Sequence, residues 1–470
     1  MTRKLFQKLL VLLPAAVLIL GMQGCGNDED SPDGSPALQG GQVAVLLTDG
    51  PALGFEEIWV TVTSVSLIAE DGVMAPIFSG EEDVNLKDLE SDSTLFSVAE
   101  DVPPGTYNKI RMRVTGVTLV TEEGEEITPK LPGNGKIDLH PRSPFEVVGG
   151  EALLISLDMD ANKSIHIVEA GKSGKYIFRP VIFVDVGSSF PDGKLVRLRG
   201  TVAEVPEPDL AVIGGSFQLC PPSPPDPSPY NVGKCTWIGV SDQTSLFDED
   251  ADLITLDALQ EGSIATAIGR VGSAGGPEYG APMVFLNALL IEAGDFLTLK
   301  GAIAEVPAAD GANSFDFDVD PGQGISSDPV LPTDLQPGAK IFSRSGELLQ
   351  ESDLLEGKRA EIDGVLSVDQ GALKAVLAVL GPIKEETGLE DVIDWIDAPQ
   401  RTLFLKDGSC AVIPESAGLF RIEESTGSEE KVTVTPVSFA AFLPGMTVSL
   451  FGDPGSPCLE VTEGFIVEED

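Results

Sequence analysis

A glycine-framed phrase occurs three times in the C-terminal part of the chain, and it limits the fold more than any other feature. It reads Leu259-Gln-Glu-Gly262, Leu354-Leu-Glu-Gly357 and Phe442-Leu-Pro-Gly445. Each copy has an apolar residue three positions before its glycine and a second glycine seven positions after it, at Gly269, Gly364 and Gly452. Apolar runs at 288–291, 372–380 and 464–467 follow the copies. A second phrase opens two of the units: Leu198-Arg-Gly-Thr-Val-Ala-Glu-Val-Pro206 and Leu299-Lys-Gly-Ala-Ile-Ala-Glu-Val-Pro307. The third opens less clearly, around 392–405. The units are therefore 194–294, 295–385 and 390–470, a repeat length that means duplicated domains rather than a solenoid. Each reads as strand, strand, a longer connection, then two strands around the glycines. Five or six short strands with glycine at sharp bends predict a small closed or partly open β-barrel of the oligonucleotide/oligosaccharide-binding (OB) type.

Residues 42–187 read as a different all-β domain. Val45-Leu-Leu-Thr-Asp-Gly-Pro51 is a short apolar strand running into a turn cluster. Ile58, Val60 and Val62 alternate with Trp59, Thr61 and Thr63, and the phase changes at Ser64, which predicts a bulge. Ile110, Met112 and Val114 alternate with Arg111 and Arg113 after the Pro104-Gly-Thr-Tyr107 start. Further strands are expected over 153–158 and 176–186. No segment has a helical period. Each strand has one apolar face to bury, so an antiparallel β-sandwich is predicted. The composition agrees: glycine (51) and proline (35) are abundant, aromatics are 6 %, and 42 % of residues are hydrophobic, enough for folded cores.

The 45–51 phrase, the Pro104–Tyr107 start, Ser156-Leu-Asp-Met-Asp-Ala-Asn-Lys-Ser164 and Arg179-Pro180 together resemble domain of unknown function family 4382, found in bacterial lipoproteins. The resemblance implies a location and a fold, not a chemistry. The repeat units resemble domain of unknown function family 5666, which often occurs in tandem in exported bacterial proteins.

The N-terminus carries an address. Residues 1–24 read as a lipoprotein signal peptide: Arg3, Lys4 and Lys8 make a positive region, and 9–20 is an apolar stretch too short for an ordinary membrane span. Gly24-Cys25 then resembles a lipobox, in which the cysteine is acylated and becomes the mature N-terminus; Met22 and Gln23 depart from the usual pattern. By resemblance to proteobacterial sorting rules, Gly26 in place of the Asp of an inner-membrane retention signal favours the outer membrane. Residues 25–41 are an acidic tether rich in Gly, Pro and Ser. Four further cysteines remain, and they fall in pairs within single units: Cys220 with Cys235, and Cys410 with Cys458. Three pairings are arithmetically open; the unit boundaries favour these two as disulfides of an exported protein.

The formal net charge is −45, which repels nucleic-acid phosphates and anionic headgroups, so no nucleic-acid partner is expected. With two histidines, His140 and His166, and no Cys-x-x-Cys-His, c-type haem and His-rich zinc sites drop out. No nucleophile elbow, His-Glu-x-x-His or phosphate-binding glycine loop occurs, and no cofactor is expected. Two carboxylate clusters are candidate calcium ligands. Asp158, Asp160, Asn162, Ser164, His166 and Glu169 follow the spacing of a helix–loop–helix calcium loop, but Lys163 takes the glycine position and the flanks lack helical patterning. Asp316 and Asp318, with Asp320, alternate along a strand, so an amphipathic strand with a solvated acidic face competes with a metal site. Trp59, on the polar face of its strand, is the candidate ligand-binding aromatic; Trp237 and Trp395 sit in apolar contexts and read as core. The expectation is a non-catalytic cell-envelope lipoprotein, a binding or scaffolding module held to the membrane by its lipid anchor. Its partner would be an envelope protein or a polysaccharide. The alternative is a carbohydrate-binding or carbohydrate-active exported protein.

Overall fold

The strand Gly41–Thr48 is buried along its whole length. A strand with one wet face would alternate; this one is apolar on both sides because both are covered. Val43, Val45 and Leu47 point into the sandwich core, while Ala44 and Leu46 pack on the first barrel. The computed structural model describes residues 40–467 apart from short stretches, the longest being 205–214 and 222–234. Among the described residues the chain is all-β, broken only by single 3-10 turns and one four-residue helical turn, Ala161–Ser164.

The sandwich consists of two sheets. One runs in the order Ile182–Gly187, Ala152–Met159, Gly41–Thr48, Asp92–Val102; the other runs Met74–Asn85, Phe55–Ala69, Gly105–Thr121, Lys136–Leu139. The alternating residues Ile58, Val60 and Val62 meet Ile110, Met112 and Val114 in its core, and the expected bulge lies between Val62 and Ser64. The sheets are not wholly antiparallel. Gly41–Thr48 and Ala152–Met159 run parallel, in register from Gln42 with Ala152 to Thr48 with Asp158. Side-chain alternation is blind to strand direction, so only the long connection between the two strands could have hinted at this.

Each repeat unit closes into a five-stranded barrel with the same path. If the five barrel strands are counted along the chain, setting aside the short strand Ser245–Phe247 of the first unit and the hairpin 418–436 of the third, neighbours run 1-2-3-5-4 and back to 1, with strands 3 and 5 parallel. Strand 1 is Leu195–Glu204, Leu297–Glu305 and Thr387–Asp397 in turn; strand 4 is Ile264–Ala274, Arg359–Ser367 and Thr447–Asp453. This is an OB-like arrangement.

The repeated phrase builds the bottom of each barrel. A 3-10 turn (Leu256–Ala258, Glu351–Asp353, Phe439–Ala441) delivers a buried plug, Leu259, Leu354 or Phe442, into the barrel interior. The first glycine then turns with positive φ (85°, 83° and 92°), a region that suits glycine. Its N–H donates to a strand-1 carbonyl, that of Val202, Ile303 or Ile393, at 2.7, 2.8 and 2.8 Å. The second glycine faces a β-bulge in strand 5, whose extra residue is Leu289, Val376 or Thr462. A Cβ there would lie 2.0, 2.4 and 2.0 Å from the carbonyl oxygens of Asn287, Lys374 and Glu460, so no side chain fits. The third unit opens indistinctly because Asp391 stands where Gly200 and Gly301 stand in the others, two residues before the shared carbonyl.

Backbone pairing joins the sandwich to two barrels. Leu195 and Val196 of the first barrel pair with Asp92 and Ser93. The third barrel sends out a hairpin, Gly418–Ser425 and Lys431–Pro436, whose outer strand pairs with Lys136–Leu139. The second barrel packs its outer residues Val376 and Val379 on Phe247, Ile268 and Leu290 of the first. This second contact explains why 372–380 is apolar at nearly every position.

Candidate functional site

The hairpin of the third barrel and the edge strand Ile182–Gly187 of the sandwich enclose a cleft of about 510 Å³, within the size range of small-ligand sites, which favour domain junctions. One wall is apolar: Phe183 meets Phe420 edge-on at 4.9 Å, and Phe420 stacks on Phe465 at 5.5 Å. The other carries His140 and Arg142, just after Lys136–Leu139, and Asp158 and Asp185 from the two adjacent strands. Phe183 is brought opposite Asp158 by strand register. A mixed-charge rim over an aromatic floor can orient a small amphipathic molecule or a side chain.

A second polar site is sealed where the sandwich and the first two barrels meet. Arg197 is 3 % exposed. Its Nε donates to Asp92 Oδ2 at 2.6 Å, and its second nitrogen approaches Asp363 Oδ2 at 2.7 Å and Glu292 Oε2 at 3.9 Å. Burial pushes Asp92 up, against the pull of Arg197. Burial and the Asp363 carboxylate push Glu292 well above the usual range, favouring its protonated form. Glu361, on the same strand as Asp363, is pushed up to about 7, by burial first and then by Asp92. Beside this group Lys194 donates to the carbonyls of Asp49 and Leu89, and burial lowers its pKa. These groups come from sequence positions far apart, and no local motif announces them.

The residues singled out in the sequence are placed as follows. Both disulfides are formed, Cys220–Cys235 and Cys410–Cys458. The second ties Cys410, on the third barrel's strand 3, to the start of its last strand, Leu459–Val467. Most of the proline-rich loop inside the first lies outside the described residues, as do Cys25 and Glu169. Asp158 lies on Ala152–Met159, Asp160 is buried just beyond it, and Asn162 falls in the turn Ala161–Ser164. Asp160 and Asp158 surround Asp49, whose pKa is well raised, mostly by burial, and whose carboxylate accepts from the Ala161 N–H at 2.7 Å. Lys194 supplies counter-charge to Asp49 and partly offsets the rise. Asp316 and Asp318 lie along Ser314–Val319, half-buried and exposed, and Asp320 pairs with the Arg359 guanidinium. Among the described residues no three His, Cys, Asp or Glu side chains converge as metal ligands. Trp59 is half-buried, and its indole N–H donates to Glu57 at 2.8 Å.

The reading of Trp395 as core needs correction. It is 48 % exposed and stacks on Phe404, with ring centroids 3.8 Å apart and planes within 3°. Ile393 points into the barrel, and strict alternation would send Trp395 inward with it; a bulge between the two turns the indole outward. The signal in the sequence was that Glu204 and Glu305 occupy the corresponding place in the other two units.

The fold and its clefts define a class: an all-β chain in which a two-sheet sandwich carries three OB-like barrels. Residues 40–180, most of the sandwich, match the family model described as Domain of unknown function (DUF4382). No curated protein matches the chain.

Proposed function

We propose that this chain is a non-catalytic cell-envelope lipoprotein, anchored in the outer membrane through acylated Cys25, that binds or scaffolds an envelope partner. The observation that carries the scaffolding part is the pairing of barrel strands onto the sandwich sheets, at Leu195 with Asp92 and at Val432 with Ile137. Continuous hydrogen-bonded sheets fix the first and third barrels on the sandwich, which a chain of independently tethered domains would not achieve. The cleft beside Phe183 and Phe420 then offers a preformed site whose walls come from two domains. The anchor is supported by the charged and apolar segments before Gly24-Cys25 and by the acidic tether after it. The resemblance of the repeat sequences to family 5666, which often occurs in tandem in exported bacterial proteins, points the same way.

Membrane fractionation and intact mass of Cys25→Ser test the anchor. The variant is expected in the soluble fraction or as an unprocessed precursor, and unchanged fractionation and mass would remove this reading. Affinity capture from envelope extract with the acylated protein tests the scaffold. A partner whose capture is lost in Phe420→Asp is expected.

A further inference from the structure

We infer that the third barrel carries a carbohydrate platform: Trp395, backed by Phe404, stacks its free face against the apolar face of a neutral pyranose chain. This rests on reading the chain as an exported binding module.

The pair lies on the outer surface of strands 1 and 2. Trp395 is registered with Phe404, and Phe404 with Cys410 of strand 3, so two rings and the Cys410–Cys458 disulfide form one row across three strands. Barrels of this type bind oligomeric ligands on the face of strands 2 and 3, onto which Phe404 and Cys410 extend the row. The barrel itself does not need aromatics there. The matching cross-strand pairs, each just past the strand-1 bulge, are Glu204 with Gln218 in the first barrel and Glu305 with Asp316 in the second. Two polar pairs fold the same closed sheet, so the exposed indole is an addition specific to the third barrel.

Three features choose the ligand. The size is small: the one free aromatic side chain presents at most about 250 Å², less than the roughly 800 Å² per partner that a stable protein interface uses, but enough for one sugar ring. The rings lie face to face, each covering one face of the other, so the outer side of the exposed indole is a single flat face rather than the several walls of a cage that encloses an ammonium group. The surroundings are acidic and polar: Asp394 is exposed, Asp397 is half-buried, and Asp407 is exposed and held ionised by hydrogen bonds from Ser409. Carboxylates there accept from sugar hydroxyls and repel anionic glycans, in keeping with the net charge of −45.

The test is calorimetric titration of the mature full chain with cellohexaose and chitohexaose, with a galacturonic-acid hexamer as the anionic counterpart. At least one neutral hexamer is expected to bind and the anionic one to bind more weakly. Trp395→Ala should weaken binding by about tenfold or more, which corresponds to about 1.4 kcal/mol. Trp395→Phe, which keeps a ring and the cross-strand contact, should lose less, and Trp59→Phe should bind as the parent does. Thermal melting of each variant separates lost binding from lost fold. Binding of neither neutral hexamer would overturn the inference, as would equal binding by Trp395→Ala, or capture of a protein through Trp395 without glycan binding. Envelope capture that depends on Phe420 but not on Trp395 would leave the scaffold reading standing while the platform fails.

Discussion

Arg197 shows how one side chain holds a junction that no short motif encodes. Asp92 comes from the sandwich, Glu292 from the first barrel and Asp363 from the second, and all three surround one guanidinium. Burying charge is costly, so the group is stable only because Arg197 neutralises part of it and Glu292 favours its protonated form. Arg197→Met leaves buried carboxylates without their cation, and we expect a loss of about 3–5 kcal/mol in denaturant unfolding at pH 7. Glu292→Gln copies the shape and hydrogen bonding of a protonated glutamic acid and should cost within about 1 kcal/mol under the same conditions. If the two substitutions cost the same, the carboxyl of Glu292 is ionised in the folded protein and this account of the junction fails.

At the level of elements, the two glycines of each repeat have different reasons to be glycine. Gly357 turns with φ of 83°, and a Cβ there would meet open space. Gly364 has an ordinary backbone angle, but a Cβ would press on the Lys374 carbonyl oxygen at 2.4 Å and on Ala375 Cα at 3.1 Å. Gly357→Ala should therefore cost about 1–2 kcal/mol through backbone strain. Gly364→Ala should cost about 3 kcal/mol or more, because backbone rather than a flexible side chain must move. Chemical denaturation of the two variants checks the order. This difference explains what the sequence revealed. A paired constraint of turn and close approach recurs at fixed spacing, so the three barrels were legible. The Trp395 face was not, because a one-residue bulge inverts the side to which every later side chain points.

For the whole molecule, what the sequence could not disclose is how the barrels attach, since strand pairing between distant segments leaves no local pattern. Gly41–Thr48 and 372–380 did carry a trace of it, as apolar runs longer than a one-sided strand needs. The attachments bring acidic groups together out of water, and that gives the molecule an unusual pH response. Asp49, Asp92, Glu292 and Glu361 are all raised, each mainly by burial. An acid raised on folding holds its proton after the unfolded chain has released it, so the folded state binds more protons and stability falls as pH rises. For Glu361 the interval runs from its ordinary value of 4.5 to about 7. Its contribution is fully present below that interval and lost above it, at up to about 1.4 kcal/mol per pH unit. The ordinary pattern, in which paired carboxylates make a protein more stable on leaving acid, runs the other way. Differential scanning calorimetry at about 0.15 M salt, where exposed charges are largely screened, should give a higher Tm at pH 5.5 than at pH 7.5. Glu361→Gln, which cannot ionise, should flatten the decline between those values. A Tm that rises over this range in the parent, or a decline unchanged by Glu361→Gln, would mean that the buried junction is not what couples stability to protons.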